Sequence, residues 1–336
     1  MRSLSLVLSH DLANDQVFDA SCASNRDNCL LGFRLLQDRI CAKGGRVHTE
    51  DVWEASGLRA DVRLFFNVPR EPLGVQGGQE QWVFLQENPL IWPKNEDALR
   101  QRDFSTVFTW NDDLVDGQRF VKLNQHLPFD VCGAGPDTRP GHLVVIAGNK
   151  RIDHDVRELY SKRLDVVRHF DRAHPGSVQL YGHGWDRRVF PWRRPWSRLN
   201  SFATLTKATA RPPRAYMGRA GCKADVFQRY RFALCFENAR DLSGYITEKL
   251  FDAMLAGAVP VYWGANNIAD HVPPTCFIDY RELGSPSALR EFLGAMSDQE
   301  IAGRQRDAWE FLATPAAHEW SAEHFAEVVT TRLSLL

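Results

Sequence analysis

Residues 230–264, YRFALCFENARDLSGYITEKLFDAMLAGAVPVYWG, decide the fold of this chain. Positions 230–236 are aromatic and apolar almost throughout and read as a buried strand, and 258–262 read as a second strand after the break at Gly257. Between them Ile246, Leu250 and Met254 recur at every fourth position with Phe251 and Leu255 beside them, the spacing of one amphipathic helix. Strand, helix, strand is a βαβ unit, and open parallel sheets place ligands beyond the C-terminal ends of their strands, where Glu237 and Asn238 emerge. Lys249 falls in the first turn of the helix. A cation there opposes the helix dipole, so its position points to a bound anion shared with the backbone N–H groups. Taken singly, Glu237 and Asn238 are ordinary turn residues, and Glu248 and Lys249 an ordinary solvated helix face. Their combination is what points to a ligand.

Working outward, the same alternation recurs. The N-terminal part reads as a strand at 4–8, a helix at 27–42 and, after Gly44-Gly45, a strand at 46–49. A strand at 81–85 leads into Glu87, and a short helix after Pro93 leads to a strand at 105–109. The Pro- and Gly-rich residues 126–141 read as a linker. Beyond it come a strand at 142–147, then Gly148-Asn149, then a helix at 153–173 with the stripe Val156, Leu159, Leu164, Val167 and Phe170, then a strand at 178–181. Helices are expected at 286–296, 298–312 and 321–333. The fold class expected is therefore α/β with two Rossmann-like domains, 1–125 and 142–315, and a C-terminal helix in 316–336. The least regular segment is 185–214, in which basic residues interleave with Trp185, Phe190, Trp192 and Trp196. It reads as a packed surface loop, as an acceptor-binding lid, or, over 185–198, as a peripheral contact with anionic membrane.

With 336 residues the chain can bury two cores of ordinary size. A net charge of −1 argues against a nucleic-acid partner, whose affinity would rest on a basic surface. No apolar run approaches the roughly twenty residues that span a bilayer, and MRSLSLVLSHDL is too briefly apolar for a signal peptide. A cytoplasmic protein, peripheral at most to the inner membrane, is expected. Seven scattered cysteines, an odd number, suggest free thiols.

The runs F-x-L-x-F-E-N at 232–238, Y-I-T-E-K-L at 245–250 and A-G-A-V-P-V-Y-W-G at 256–264, followed by Pro274 and Phe277-Ile278, resemble the signature of the α1,3/4-fucosyltransferases of glycosyltransferase family 10. The resemblance implies a GT-B fold with a cleft between its two domains, GDP-fucose as donor, a glycan acceptor containing N-acetylglucosamine, inversion at the transferred sugar and no metal or other cofactor. Lacking the membrane anchor of animal members, the chain resembles a bacterial one, with a role in lipopolysaccharide or other surface glycans. The stretch QWVFLQENPLIWP at 81–93 is similar to the family's strand-then-Glu-x-Pro element, which implies Glu87 as catalytic base. By the same likeness Arg163 would bind the donor diphosphate with Lys249, although Arg157 and Arg168 compete for that role. Glu248 would bind the ribose, Asn238 and Tyr245 would line the nucleotide-sugar pocket, and Asn149 would contact the nucleotide, although Ala147-Gly148-Asn149 departs from the family's Ser-Asn pair. Glu237 would shape the site.

Other chemistries find little support. No His-Glu-x-x-His, Cys-x-x-Cys or Gly-x-Ser-x-Gly run is present, and Asp112-Asp113 only imitates the acidic motif of metal-dependent GT-A enzymes. A transferase for another GDP-sugar and a catalytically silent glycan- or nucleotide-binding protein remain open alternatives. A donor panel separates the first, and GDP binding without turnover the second.

Overall fold

A computed structural model describes residues 2–71, 73, 78–129, 139–152, 155–190 and 196–335. The chain forms two compact units, one of residues 1–129, 243–248 and 315–336, the other of 130–242 and 249–314. The expected linker, 126–141, falls largely on 130–138, outside the described residues. Arg139, at its end, belongs to the second unit, donating to the carbonyls of Tyr230 at 3.3 Å and Ala256 at 3.0 Å.

The first unit holds a six-stranded, all-parallel sheet of β1 (Leu4–Val7), β2 (Val47–Thr49), β3 (Val62–Phe66), β4 (Glu80–Leu85), β5 (Thr106–Thr109) and β6 (Phe120–Lys122), in the order β2-β1-β3-β4-β5-β6. Leu4 pairs with both Val47 and Val62, and Val83 with Val107. The sequence reading missed β3 and β6: VRLFF carries an arginine inside a five-residue run, and FVK is too short to show a period. The first long helix, Leu31–Ala42, starts later than expected because Asp27 and Asn28 take left-handed φ values of 51° and 57°. It buries Phe33, Leu36 and Ile40 against the sheet, and the last helix, Ala322–Ser334, adds Phe325, Val329 and Leu333 to the same core. The C-terminal helix is thus part of the first unit. Leu127 ties it in, donating to the Trp320 carbonyl and accepting from the Ala322 N–H, both at 2.8 Å.

The second unit holds β7 (Gly141–Ile146), β8 (Val178–Tyr181), β9 (Tyr230–Phe236), β10 (Val259–Trp263) and β11 (Ile278–Asp279), again all parallel, in the order β8-β7-β9-β10-β11. The chain runs outward from β7 to β8, then returns to the other side of β7 for β9. The C-terminal ends of β7 and β9 therefore form a topological switch point, where connections leave in opposite directions and a crevice opens for ligand. The first unit has the same switch between β1 and β3. The helix after β7 spans Tyr160–Ala173 and starts seven residues later than expected. Val156 is consequently 84% exposed and drops out of the apolar stripe, while Val166, Val167 and Phe170 form it. The delay is local chemistry: the Asp155 carboxylate accepts from the Arg157 N–H at 2.8 Å, a turn that competes with helix.

Among the described residues no helix is long and apolar enough to cross a membrane, and Cys22, Cys29, Cys41, Cys222, Cys235 and Cys276 are free thiols.

Candidate functional site

In the second unit the polar groups gather at the end of β9. Glu237 continues the sheet by donating its N–H to the Trp263 carbonyl at 2.8 Å, which buries its side chain completely. A carboxylate so buried needs a counter-charge, and Lys249 supplies it, with Nζ 3.2 Å from Glu237 Oε2. The lysine that opposes its helix dipole thus has a protein anion beside it; a fifth of its side chain remains exposed. Gly264 makes the arrangement sterically feasible: a Cβ there would lie 2.4 Å from Glu237 Cγ and from the Tyr262 hydroxyl.

Arg163, 6% exposed, reaches the same strand end from the helix Tyr160–Ala173. Its Nε donates to the Phe236 carbonyl at 3.1 Å, and one Nη donates to the Glu237 carbonyl at 2.5 Å and to Asn238 Oδ1 at 3.0 Å. The guanidinium also lies over the Tyr160 ring at 4.9 Å. Backbone pairing reinforces the contact, since Leu159 donates to the Asn238 carbonyl at 3.2 Å. Of the competing arginines, Arg157 is paired with Asp155 at 2.8 Å. Arg163, Asn238, Glu237 and Lys249 are therefore one constellation with two cations and one carboxylate at the switch point. Asn149 lies past the end of β7, the other side of that switch. Its side-chain amide donates to the carbonyls of Gly184 at 2.9 Å and Arg187 at 3.0 Å, which fixes the loop after β8.

The first unit carries Glu87, Tyr245 and Glu248. Glu87 follows β4, and its backbone is clamped by two asparagines that sequence reasoning did not single out. Its N–H donates to Asn67 Oδ1 at 2.7 Å, its carbonyl accepts from Asn95 Nδ2 at 2.8 Å, and that same Nδ2 donates to Asn67 Oδ1 at 2.8 Å. Asn95 is 4% exposed and Asn67 holds a left-handed φ of 71°. The sequence gives little signal for this cradle: Asn67 directly follows β3, and Asn95 lies inside the short 3-10 helix Pro93–Glu96. The Glu87 side chain itself stays half-buried.

Asn88, fully buried, donates to the Tyr245 hydroxyl at 2.8 Å, and the Tyr245 ring packs against Trp110 in a tilted arrangement with centroids 4.8 Å apart. Tyr245 is 1% exposed. Its segment can approach that closely because of Gly244, at φ 75°, where a Cβ would lie 2.3 Å from the Trp110 carbonyl. Residues 88 and 245 are thereby joined, and Glu87 is the neighbour of one of them. Glu248, half-buried, opens the helix Glu248–Leu255. Asp112 is ion-paired with Lys122 at 2.5 Å, which accounts for one half of the acidic pair at 112–113.

In the loop from 185, Trp185 and Phe190 are each 8% exposed, and the Trp185 indole donates to the Ala147 carbonyl at 2.7 Å, so these two are packed residues. Trp196 is 55% exposed, and Trp192 lies outside the described residues.

The C-terminal model of glycosyltransferase family 10 (fucosyltransferase) matches residues 161–331. An α-(1,4)-fucosyltransferase of Arabidopsis thaliana is 40% identical over 84 residues, 25% of this chain and 21% of that protein. An α-(1,3)-fucosyltransferase FucT of Helicobacter pylori is 37% identical over 61 residues, 18% of this chain and 13% of that one. The matched stretches thus span well under a third of these relatives. A crystal structure of an α1,3-fucosyltransferase superposes with a TM-score of 0.53 at 13% identity, covering 99% of this chain and 90% of that chain; a fucosyltransferase of this description is also solved with GDP-fucose. At that identity the likeness is one of fold, and the fold is GT-B.

Proposed function

The chain belongs to glycosyltransferase family 10 (fucosyltransferase), and from that premise we propose that it transfers L-fucose from GDP-β-L-fucose to a glycan containing N-acetylglucosamine, with inversion to an α1,3 or α1,4 linkage. The observation that carries the proposal is the gathering of Arg163, Asn238, Glu237 and Lys249 at the β7/β9 switch point, with two cations where a nucleotide diphosphate would lie. The solved fucosyltransferase holding GDP-fucose supports the choice of donor.

In this reading the acceptor hydroxyl attacks the anomeric carbon of fucose, the bond to the diphosphate oxygen breaks, and GDP leaves. Glu87 takes the hydroxyl proton, its backbone held in place by Asn67 and Asn95. Arg163 and Lys249 stabilise the charge that builds on the departing diphosphate, so the reaction runs without a metal. Glu248 binds the ribose, and Asn238 and Tyr245 shape the nucleotide-sugar pocket. Asn149 acts on the nucleotide indirectly, through the loop it fixes after β8. The acceptor is a bacterial surface glycan such as lipopolysaccharide.

The test is incubation of the protein with GDP-fucose and N-acetyllactosamine, with and without EDTA, alongside other GDP-sugars. Fucosylated product in both conditions supports the proposal. Absence of transfer together with absence of GDP-fucose binding overturns it, and preference for another GDP-sugar reassigns the donor.

A further inference from the structure

A second cluster of chemically capable side chains lies near the C-terminus and includes none of the residues assigned above to donor or base. His318 ends the helix Pro315–His318, and His324 and Glu327 lie three positions apart on the next helix, Ala322–Ser334, hence on one face. One ligand atom from each of the three falls within 4.8 Å of the others. Two imidazoles and a carboxylate are the nitrogen and oxygen donors that zinc takes in three-ligand sites, its fourth position being left to water. A tetrahedral ion with bonds of about 2.0–2.1 Å spaces its donors about 3.3 Å apart, so the group needs a closure of about 1.5 Å. His318 and Glu327 are exposed and can supply it by rotation.

We propose that His318, His324 and Glu327 form a transition-metal site, suited to Zn2+, that staples the turn before the last helix to the first turns of that helix.

Two further features favour this. Ser321 Oγ lies 3.0 Å from His318 Nδ1 and accepts the His324 backbone N–H at 3.0 Å as the helix cap, so one hydroxyl holds the His318 ring and the start of the helix that carries His324. With Nδ1 engaged on the serine, Nε2 of His318 is the nitrogen turned to a metal, the usual arrangement of a metal-bound histidine. Charge also favours a dication: Glu319, Glu323 and Glu327 lie within ten residues, and 318–331 contains no lysine or arginine. The stapled helix carries Phe325, Val329 and Leu333 into the core of the first unit, so an ion bound only to the folded chain stabilises that unit.

The experiment uses the full chain without a histidine tag, stripped with chelator and with thiols alkylated, titrated with Zn2+ by calorimetry and melted with and without the metal, Mg2+ serving as control. The result expected is one Zn2+ per chain and a Tm raised by Zn2+ but not by Mg2+. H318A and E327Q, both at exposed positions, should melt as the parent does without metal, yet bind Zn2+ at least about tenfold more weakly and lose the Tm response. Absence of stoichiometric Zn2+ binding overturns the site, as does binding that both variants leave unchanged. Because no sugar transfer is measured, the outcome is independent of the proposed reaction.

Discussion

At the scale of single residues, the two carboxylates Glu87 and Glu237 have opposite settings, and under the proposed reaction they take opposite roles. Glu87 has a clamped backbone and a half-buried side chain, which suits a group that must exchange a proton with substrate. Glu87→Gln should therefore lower kcat by at least about 100-fold while leaving GDP affinity within about twofold, read by initial rates and by calorimetric GDP titration. Equal turnover in the variant removes Glu87 from the role. Glu237 is fully buried and held to Lys249, so its role is to fix the lysine. Lys249→Met removes the ion-pair partner of a fully buried carboxylate and should cost about 3 kcal/mol in urea unfolding. Adding Glu237→Gln should recover most of that stability without recovering GDP affinity. If the double variant binds GDP as the parent does, Lys249 has no part in the diphosphate site.

At the scale of elements, the first unit joins its N-terminal and C-terminal helices through His126. The ring packs edge-on against Phe33 at 5.2 Å and lies 4.3 Å from Phe325, and Gly32 leaves room for it, a Cβ there falling 2.7 Å from Nδ1. Burial among these rings pushes its pKa down from 6.5 to about 4. A histidine with a folded pKa below its unfolded value contributes stability that is fully present above pH 6.5. That contribution is lost as pH falls through the window to about 4, because the unfolded chain takes up the proton first. The loss approaches about 1.4 kcal/mol per pH unit within the window. His126→Phe should flatten this part of the stability profile, measured by urea midpoints from pH 7 to pH 4; an unchanged slope would place the acid sensitivity elsewhere. The strands and helices themselves were legible in the sequence wherever the period ran long enough. VPVYW and YRFALCF could be read as strands and EKLFDAML as a helix, whereas VRLFF and FVK could not, because a short run of parallel strand carries no alternation to distinguish it.

At the scale of the whole molecule, the chain builds two sheets whose strand order agrees over five strands, the first adding a sixth, and then returns its last helix to the first of them. Burying a Phe, Val or Leu side chain contributes about 1.5–3 kcal/mol, so Phe325, Val329 and Leu333 together rival the whole stability of an ordinary domain, about 5–15 kcal/mol. A chain ending at Thr314 should therefore lose the cooperative melt of the first unit and expose 1–129 to limited proteolysis, while residues 139–314 stay protected; a melt like that of the full chain would refute this. The sequence by itself determined the βαβ alternation, the parallel α/β class and, through fixed-spacing runs, the likeness to family 10, because each of these is written in local spacing. Only the tertiary structure decided that 243–248 and 315–336 join the first unit, that Arg163 meets Asn238 and Lys249 meets Glu237, that Asn67 and Asn95 hold Glu87, and that His318, His324 and Glu327 converge. The physical reason is that hydrogen bonds and ion pairs are chosen by distance in space, and a period of two or 3.6 residues says which face a side chain occupies but not which distant segment will cover it.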